Sequence, residues 1–292
     1  MPVVMTAALA ERQLNSSGMD ALIKDIPIPP RPVVVQQMQA EMARPEPDLR
    51  RMADIVSQDV GLTLAVLKTV NSPMYGLSRR AESVDQAVNM IGLQQLNIIV
   101  TAMAMRALLK DGGATLARFY DTSARRAYAM ARMARATGLV DVGLAQTFGL
   151  FCDVGIPLLA HRFPNYLDTL KVANQDPVRS FTAVEQSIHH TDHALVGALM
   201  VKSWELSPVA ALAIRLHHDY EVFIDPKVPV EVSRLISLCV VAEQAIQRSA
   251  QIHDNVEWAK GGDYVASTLA MSEAEVHEWI EQLIDDFAHG ID

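Results

Sequence analysis

Residues 151–155 read Phe151-Cys152-Asp153-Val154-Gly155, near the middle of a 292-residue chain and inside an apolar run spanning 144–159. The run is hydrophobic on nearly every side, so it predicts a buried central helix rather than an amphipathic surface one. Pro157, two residues after Gly155, predicts a bend there. An aspartate in such a helix is costly unless a partner or a metal takes it. Asp153 thus poses the functional question. Its carboxylate belongs to a working metal site, to the remains of one, or only to a histidine or backbone amide that satisfies it.

Half of the residues are hydrophobic but only 5% are aromatic, so the core is aliphatic. Ala and Leu favour helix, and 14 Gly with 14 Pro are few for a strand-rich chain of this length. A net charge of −9 argues against specific or non-specific nucleic-acid binding, which needs a basic footprint. Two cysteines cannot build a disulfide framework, which suits a reducing, cytoplasmic setting. Residues 1–10 lack the basic start of a signal peptide. No uninterrupted apolar segment reaches the ~20 residues of a membrane span, so no membrane association is expected.

Working outward, helical spacing and caps predict helices over 33–43, 60–70, 93–109, 119–136, 166–174, 193–205, 208–218 and 230–247. Asp59 is the expected N-cap at 60. Ser83 with Gln86 opens a helix that Gly92 closes, Ser272 with Glu275 opens the last one, and Thr182 with Glu185 reads as a further capping box. Pro27, Pro29, Pro30 and Pro32 force an extended entry. The Lys110-Asp111-Gly112-Gly113 break sets the expected organisation. A leader covers 1–25, an N-terminal helical lobe 26–110, a second lobe 111–250 and a C-terminal extension 251–292. No period-two strand pattern, internal repeat or low-complexity tract is present.

Several motifs then align in order and spacing. They are Ile28-Pro29-Pro30-Arg31-Pro32, Ser57-Gln58-Asp59, Val70-Asn71-Ser72-Pro73-Met74-Tyr75-Gly76, Ser83-Val84-Asp85-Gln86-Ala87-Val88 and Ile91-Gly92-Leu93. Further on come His193-Ala194-Leu195-Val196-Gly197, Trp204 with Leu206 and Pro208, and His217-His218. Each is weak alone; together they resemble the HDOD family, a signalling module related to the HD-domain metal-dependent phosphohydrolases. The resemblance implies an all-α fold, an N-terminal helical lobe packed on an HD-like helical lobe.

Active HD enzymes hold divalent metal with histidines and aspartates from several helices. The metal needs converging lone pairs and an open position for the water it acidifies. On that resemblance the first histidine position is Thr122 and the His-Asp pair is Cys152-Asp153. The usual lysine is Ile156, and the last aspartate is Glu243. Asp153, His193, His217 or His218, and Glu243 remain. The expectation is a degenerate metal site, a pseudoenzyme with no catalytic residue and no cofactor, a divalent metal being the one candidate. The resemblance also implies a bacterial regulatory protein acting through a signalling partner in trans, in a two-component or cyclic-dinucleotide pathway. A metal-dependent phosphohydrolase or phosphodiesterase with an altered ligand set, or a nucleotide-sensing module, are the alternatives.

Other residues read more plainly. Arg125, Arg126, Arg132 and Arg135 predict a solvated face, with phosphate or nucleotide receipt as the sharper reading. Cys239 and Glu243, four apart, share a helix face. Were that face to meet Cys152-Asp153, a zinc-like Cys-Cys-acid-His cluster would result. His189-His190 read as exposed loop. His193 at a helix start caps it or bonds Asp153. His217-His218 end a helix, where a positive imidazole suits the dipole. No Ser-His-Asp signature, P-loop or dinucleotide fingerprint occurs.

Overall fold

The aliphatic composition is expressed as helix throughout. The protein is seen as a computed structural model that describes residues 10, 14, 26, 28–108, 113–252 and 254–289, without the side chains of 74 and 113–117. Among the described residues there are α-helices and two short 3-10 helices, and no strand. The fold is all-α. The predicted leader lies outside the described residues apart from Ala10 and Leu14, as do residues 110–112 of the predicted break. Contacts gather the chain into two compact units, one within Pro30–Asp111 and one within Gly112–Ala288.

The first unit holds α1 (Val33–Met42), α2 (Leu49–Ser57), α3 (Val60–Val70) and α4 (Val84–Leu108). Asp48 accepts from Arg50 N at 2.8 Å and Asp59 from Leu62 N at 2.9 Å, each cap contributing about 1 kcal/mol. Asn71 clamps the loop that follows, taking Ala81 N at 2.7 Å and giving to Ala81 O at 2.8 Å. Ser83 accepts from Gln86 N at 3.2 Å, while the Gln86 amide oxygen takes Glu82 N rather than Ser83 N. Gly92 leaves helical geometry (φ 80°, ψ 167°) and breaks α4 where the sequence predicts a stop. Met38, Met52, Val56, Val66, Val88 and Leu96 form the core.

The second unit holds α5 (Gly113–Thr137), α6 (Val142–Phe151), α7 (Gly155–Arg162), α8 (Tyr166–Gln175), α9 (Phe181–His189), α10 (His193–Ser203), α11 (Pro208–Leu216), α12 (Val230–Ser249), α13 (Val256–Leu269) and α14 (Glu273–Ala288). Helix α5 packs on α6 and α12, α10 on α7 and α11, and α13 and α14 both pack on α12. Ser207 caps α11 ahead of Pro208, as predicted. Ser272 and Glu275 exchange hydrogen bonds at the start of α14. The Thr182–Glu185 box does not form. Ser180 caps α9 instead, accepting from Ala183 N at 3.2 Å, and Glu185 points inward with no exposure.

Two stretches, Val84–Leu108 and Val142–Arg162, are long and apolar enough to cross a membrane by length and composition. Each is interrupted, the first at Gly92 and the second by a turn at residues 152–154.

Candidate functional site

The central run does not bend at Pro157; it breaks earlier. Helix α6 ends at Phe151, the chain turns through 152–154, and α7 starts at Gly155. Pro157 then sits in the first turn of α7, where a missing backbone N–H goes unnoticed. The turn aims Asp153 out of the helix ladder, while Cys152 N still bonds Phe148 O at 2.9 Å. Two glycines set the approach of neighbouring helices. A Cβ at Gly149 would lie 2.7 Å from the Ala127 Cα, so α5 and α6 meet backbone to backbone beside Arg126. A Cβ at Gly155 would lie 2.1 Å from the His193 carbonyl oxygen, so α10 starts directly against the turn.

One half of the site is built on Arg126 of α5. Its side chain is almost wholly buried, 2% exposed. Nη2 donates to Asp153 Oδ2 at 2.5 Å, Nε donates to Glu243 Oε1, and Nη1 donates to Cys152 Sγ at 2.7 Å and Gly149 O at 3.4 Å. Burial would lower the Arg126 pKa, yet Asp153, Cys152 and Glu243 raise it well above the ordinary value. Burial would likewise raise the Asp153 carboxyl, but Arg126, His193 and His217 hold it well below the usual carboxylate range. The Cys152 thiol is pushed up, chiefly by burial and by its hydrogen bond to Cys239. The Cys239–Glu243 face of α12 therefore does meet Cys152-Asp153, with a guanidinium at the meeting point.

The predicted solvated arginine face is thus corrected. Arg126 is inside because α5 is covered on two sides, by α6 and by α12. Arg125 lies over the Phe287 ring at 5.6 Å. Arg132 lies over Trp279 at 5.7 Å and pairs with Asp286. Of the four, only Arg135 is exposed.

The other half is built on imidazoles. His193 Nε2 is 3.5 Å from Asp153 Oδ1, His217 Nε2 is 3.3 Å from the same oxygen, and the two Nε2 atoms are 3.3 Å apart. His218 completes the group, with one ligand atom from each of the four residues within 4.8 Å of the others. Each ring is oriented from behind through Nδ1: His193 by Glu185 Oε2 at 2.7 Å, His217 by Ile214 O at 2.7 Å, and His218 by Glu257 Oε2 at 2.7 Å. Tyr166 donates to the other Glu185 oxygen, and Tyr220 and Lys260 hold Glu257 at 2.9 Å each.

Burial opposes charge on His193, but Glu185 and Asp153 raise its pKa to about 10. Burial, with His217 nearby, lowers His218 to about 4 despite Glu257, so a positive ring at the end of α11 is not what His218 supplies. Helix capping falls to Asp192, which accepts from Leu195 N at 2.7 Å, and His193 is left to face Asp153.

Both halves open onto one cavity of about 200 Å³. Thr122, Cys152, Asp153, His193, His217, His218 and Glu243, the positions marked by the sequence, all line it, as does Ile156. Sequence reasoning missed Arg126, Glu185 and Glu257 as members. One arginine in a run of four carried no spacing signal, Glu185 was read as part of a capping box, and Glu257 stood in no motif. His189 is also corrected: it ends α9, stacks on Phe163 at 4.5 Å and bonds Thr169 Oγ1 at 2.8 Å, while His190 is exposed.

The residues fit a metal in one half only. The Asp153, His193 and His217 atoms form a triangle with edges of 3.3, 3.3 and 3.5 Å. Ligands at ~2.0–2.1 Å from a tetrahedral zinc lie about 3.3 Å from one another. Nδ1-held histidines presenting Nε2 are the usual outer-shell arrangement of metal sites. In the other half the acceptors Asp153 Oδ2, Glu243 Oε1 and Cys152 Sγ are all engaged by Arg126.

Comparison with known proteins agrees with this architecture. An uncharacterized protein of Treponema pallidum is 26% identical over 75% of this chain, and the match spans only 42% of that protein's length. A structure from Marinobacter aquaeolei VT8, provisionally called a signal transduction protein, superposes with a TM-score of 0.72 at 18% identity. It covers 98% of this chain and 65% of its own. A second, from Shewanella amazonensis SB2B and provisionally called a phosphohydrolase, has a TM-score of 0.69 at 20% identity, covering 95% and 97%. The HDOD domain profile matches residues 28–220, most of the chain, and the chain belongs to the HDOD domain family.

Proposed function

We propose that this chain is a non-catalytic HDOD regulatory module, a pseudoenzyme that acts by presenting a surface to a signalling protein in trans. One observation carries the reading. A guanidinium with four donors in use is fixed between Asp153, Glu243 and Cys152, where metal ligands would otherwise converge. A tethered cation neutralises the buried acids without offering an open position for water or phosphate. The working lobes are 26–110 and 111–250, with 251–292 as an extension, and the setting is cytoplasmic. A fold relative provisionally called a signal transduction protein accords with this role.

A second reading, a metal-dependent phosphohydrolase with an altered ligand set, is favoured by the imidazole triangle and by the Shewanella fold relative. There Asp153, His193, His217 and His218 would hold a single ion, which when bound supplies Lewis acidity and an acidified water. Glu185 and Glu257 would fix the ring orientations.

The test is a metal-supplemented assay on phosphomonoesters, nucleotides and cyclic dinucleotides. The regulatory reading expects no turnover above background with magnesium, manganese or zinc. Turnover that Asp153→Ala abolishes overturns it.

A further inference from the structure

We infer that the outer part of the cavity is a binding site for a small organic cation, an aliphatic ammonium or guanidinium compound. The inference rests on the reading above, in which Arg126 closes the acidic half from within.

The hydrogen-bond inventory of the lining decides the ligand's character. The charged donors at the site are largely spent on the protein, four of the five Arg126 N–H groups among them. Arg126 is used by Asp153, Glu243, Cys152 and Gly149. Both nitrogens of His193 face Glu185, Asp153 or His217, and Tyr220 gives its hydroxyl to Glu257. What remains facing the cavity among the described residues is mostly oxygen.

Glu243 uses only Oε1, and its carboxylate is 26% exposed. Asn174 spends its amide nitrogen on Leu170 O at 2.8 Å, which leaves Oδ1. The Gln247 amide lies one turn beyond Glu243 on α12 and has no partner among the described residues, and the Thr122 hydroxyl of α5 also lines the cavity. A site whose free groups are mostly acceptors, with its charged donors largely spent, favours a ligand that brings donors and positive charge.

The remaining walls suit the rest of such a ligand. Leu170, Phe181, Val240 and Trp258 line the cavity and give apolar surface for a short alkyl chain. The rings add an attraction for a cation over their faces. The cavity of about 200 Å³ has room for a short-chain organic ligand. The chain's net charge of −9 favours cation approach. Cys239, Val240, Glu243, Gln247, Glu257 and Trp258 all lie beyond the matched 28–220 region, so this wall is set by the chain's own C-terminal helices.

Calorimetric titration of the full chain with putrescine and with agmatine tests this, with 1,4-butanediol and succinate as neutral and anionic chains of equal length. Both cations are expected to bind, and both controls to give no heat. Glu243→Gln is expected to weaken binding about 10–100-fold, the effect of losing a charged acceptor. Gln247→Leu, which touches neither Arg126 nor the histidines, is expected to weaken it severalfold and keeps the test valid should Glu243→Gln unfold.

No heat from either cation at millimolar concentration overturns the inference, as does equal binding of butanediol, or binding that neither variant weakens. Displacement of the bound cation by equimolar zinc would also overturn it, by placing the ligand on the imidazoles. Phosphatase turnover in the assay above would overturn the regulatory reading alone. Failure of cation binding would leave that reading standing.

Discussion

The two halves of the site share one residue and treat it in opposite ways. Asp153 turns Oδ2 toward Arg126 and Oδ1 toward His193 and His217. On the first side the positive charge is covalently part of the protein, buried and permanent. On the second side the partners are imidazoles held from behind by Glu185, Ile214 O and Glu257, with the Nε2 atoms of His193 and His217 turned toward Asp153 Oδ1. A buried acid can be satisfied by a tethered cation or by a site built to receive a free one. Across this single carboxylate one oxygen meets a tethered cation and the other meets two imidazoles.

The largest expected effect comes from removing the tethered cation. Arg126→Ala strips the guanidinium from Glu243 and leaves Asp153 with only the imidazoles, a loss of about 3–5 kcal/mol by chemical denaturation. The double variant Arg126→Met with Asp153→Asn should cost well under the sum of its single changes, because the Asp153 charge is gone and only the partly exposed Glu243 is left unpaired. Additive costs would mean that the arginine half is not the coupled unit described.

The next effect attacks what keeps the halves together. Gly155→Ala places a methyl at 2.1 Å from the His193 carbonyl oxygen, so the start of α10 must shift from the Asp153 turn. Overpacking of this kind costs about 1–3 kcal/mol, read as a lower denaturation midpoint. It should also weaken any ion bound between Asp153 and His193, whereas Arg126 keeps its contacts within α5, α6 and α12. An unchanged midpoint would show that the approach is softer than the backbone implies.

Glu185→Gln sharpens the contrast further. Outer-shell partners of metal-ligating histidines are worth about 10–100-fold in metal affinity. Zinc titration should therefore reveal one ion bound to the unaltered chain and weaker by that factor in Glu185→Gln, with Cys152→Ser unaffected. Equal loss in Cys152→Ser would move the metal to the arginine side, and no uptake by any variant would reduce the imidazole half to packing.

The all-α fold, the cap at Asp59, the break at Gly92 and the capped starts at Ser207 and Ser272 were legible because each depends on a few neighbouring residues. The seven positions marked through family resemblance do converge on one cavity. Arg126 was not legible: its burial depends on α12, more than a hundred residues away, closing over α5. Glu185 was misread because a Thr-x-x-Glu spacing is a cap only when the helix starts there. This helix starts two residues earlier, capped by Ser180, and Glu185 faces His193 instead. The break at 152–154 rather than at Pro157 follows from tertiary demand, since only a turn lets Asp153 reach three helices at once.

The smallest expected effect lies in the other unit, where the charge arrangement is inverted. Glu41 is one buried acid set between two exposed arginines: Arg44 and Arg51 are 50% and 64% exposed. Its pKa is lowered from 4.5, first by the Asp48 backbone N–H at 2.9 Å, against burial, and then by the two guanidinia. A depressed carboxyl adds stability above its unfolded pKa and loses it as pH falls. Glu41→Gln should thus lower the neutral-pH midpoint slightly and flatten the acid limb below about pH 4.5, where the unaltered chain loses the same stability. Exposed guanidinia are screened by water and salt in a way that Arg126 is not. Raising ionic strength should therefore reduce the Glu41 effect to the part carried by the Asp48 N–H while sparing the Arg126 one; if salt weakened both alike, the distinction between a buried and a solvated clamp would fail.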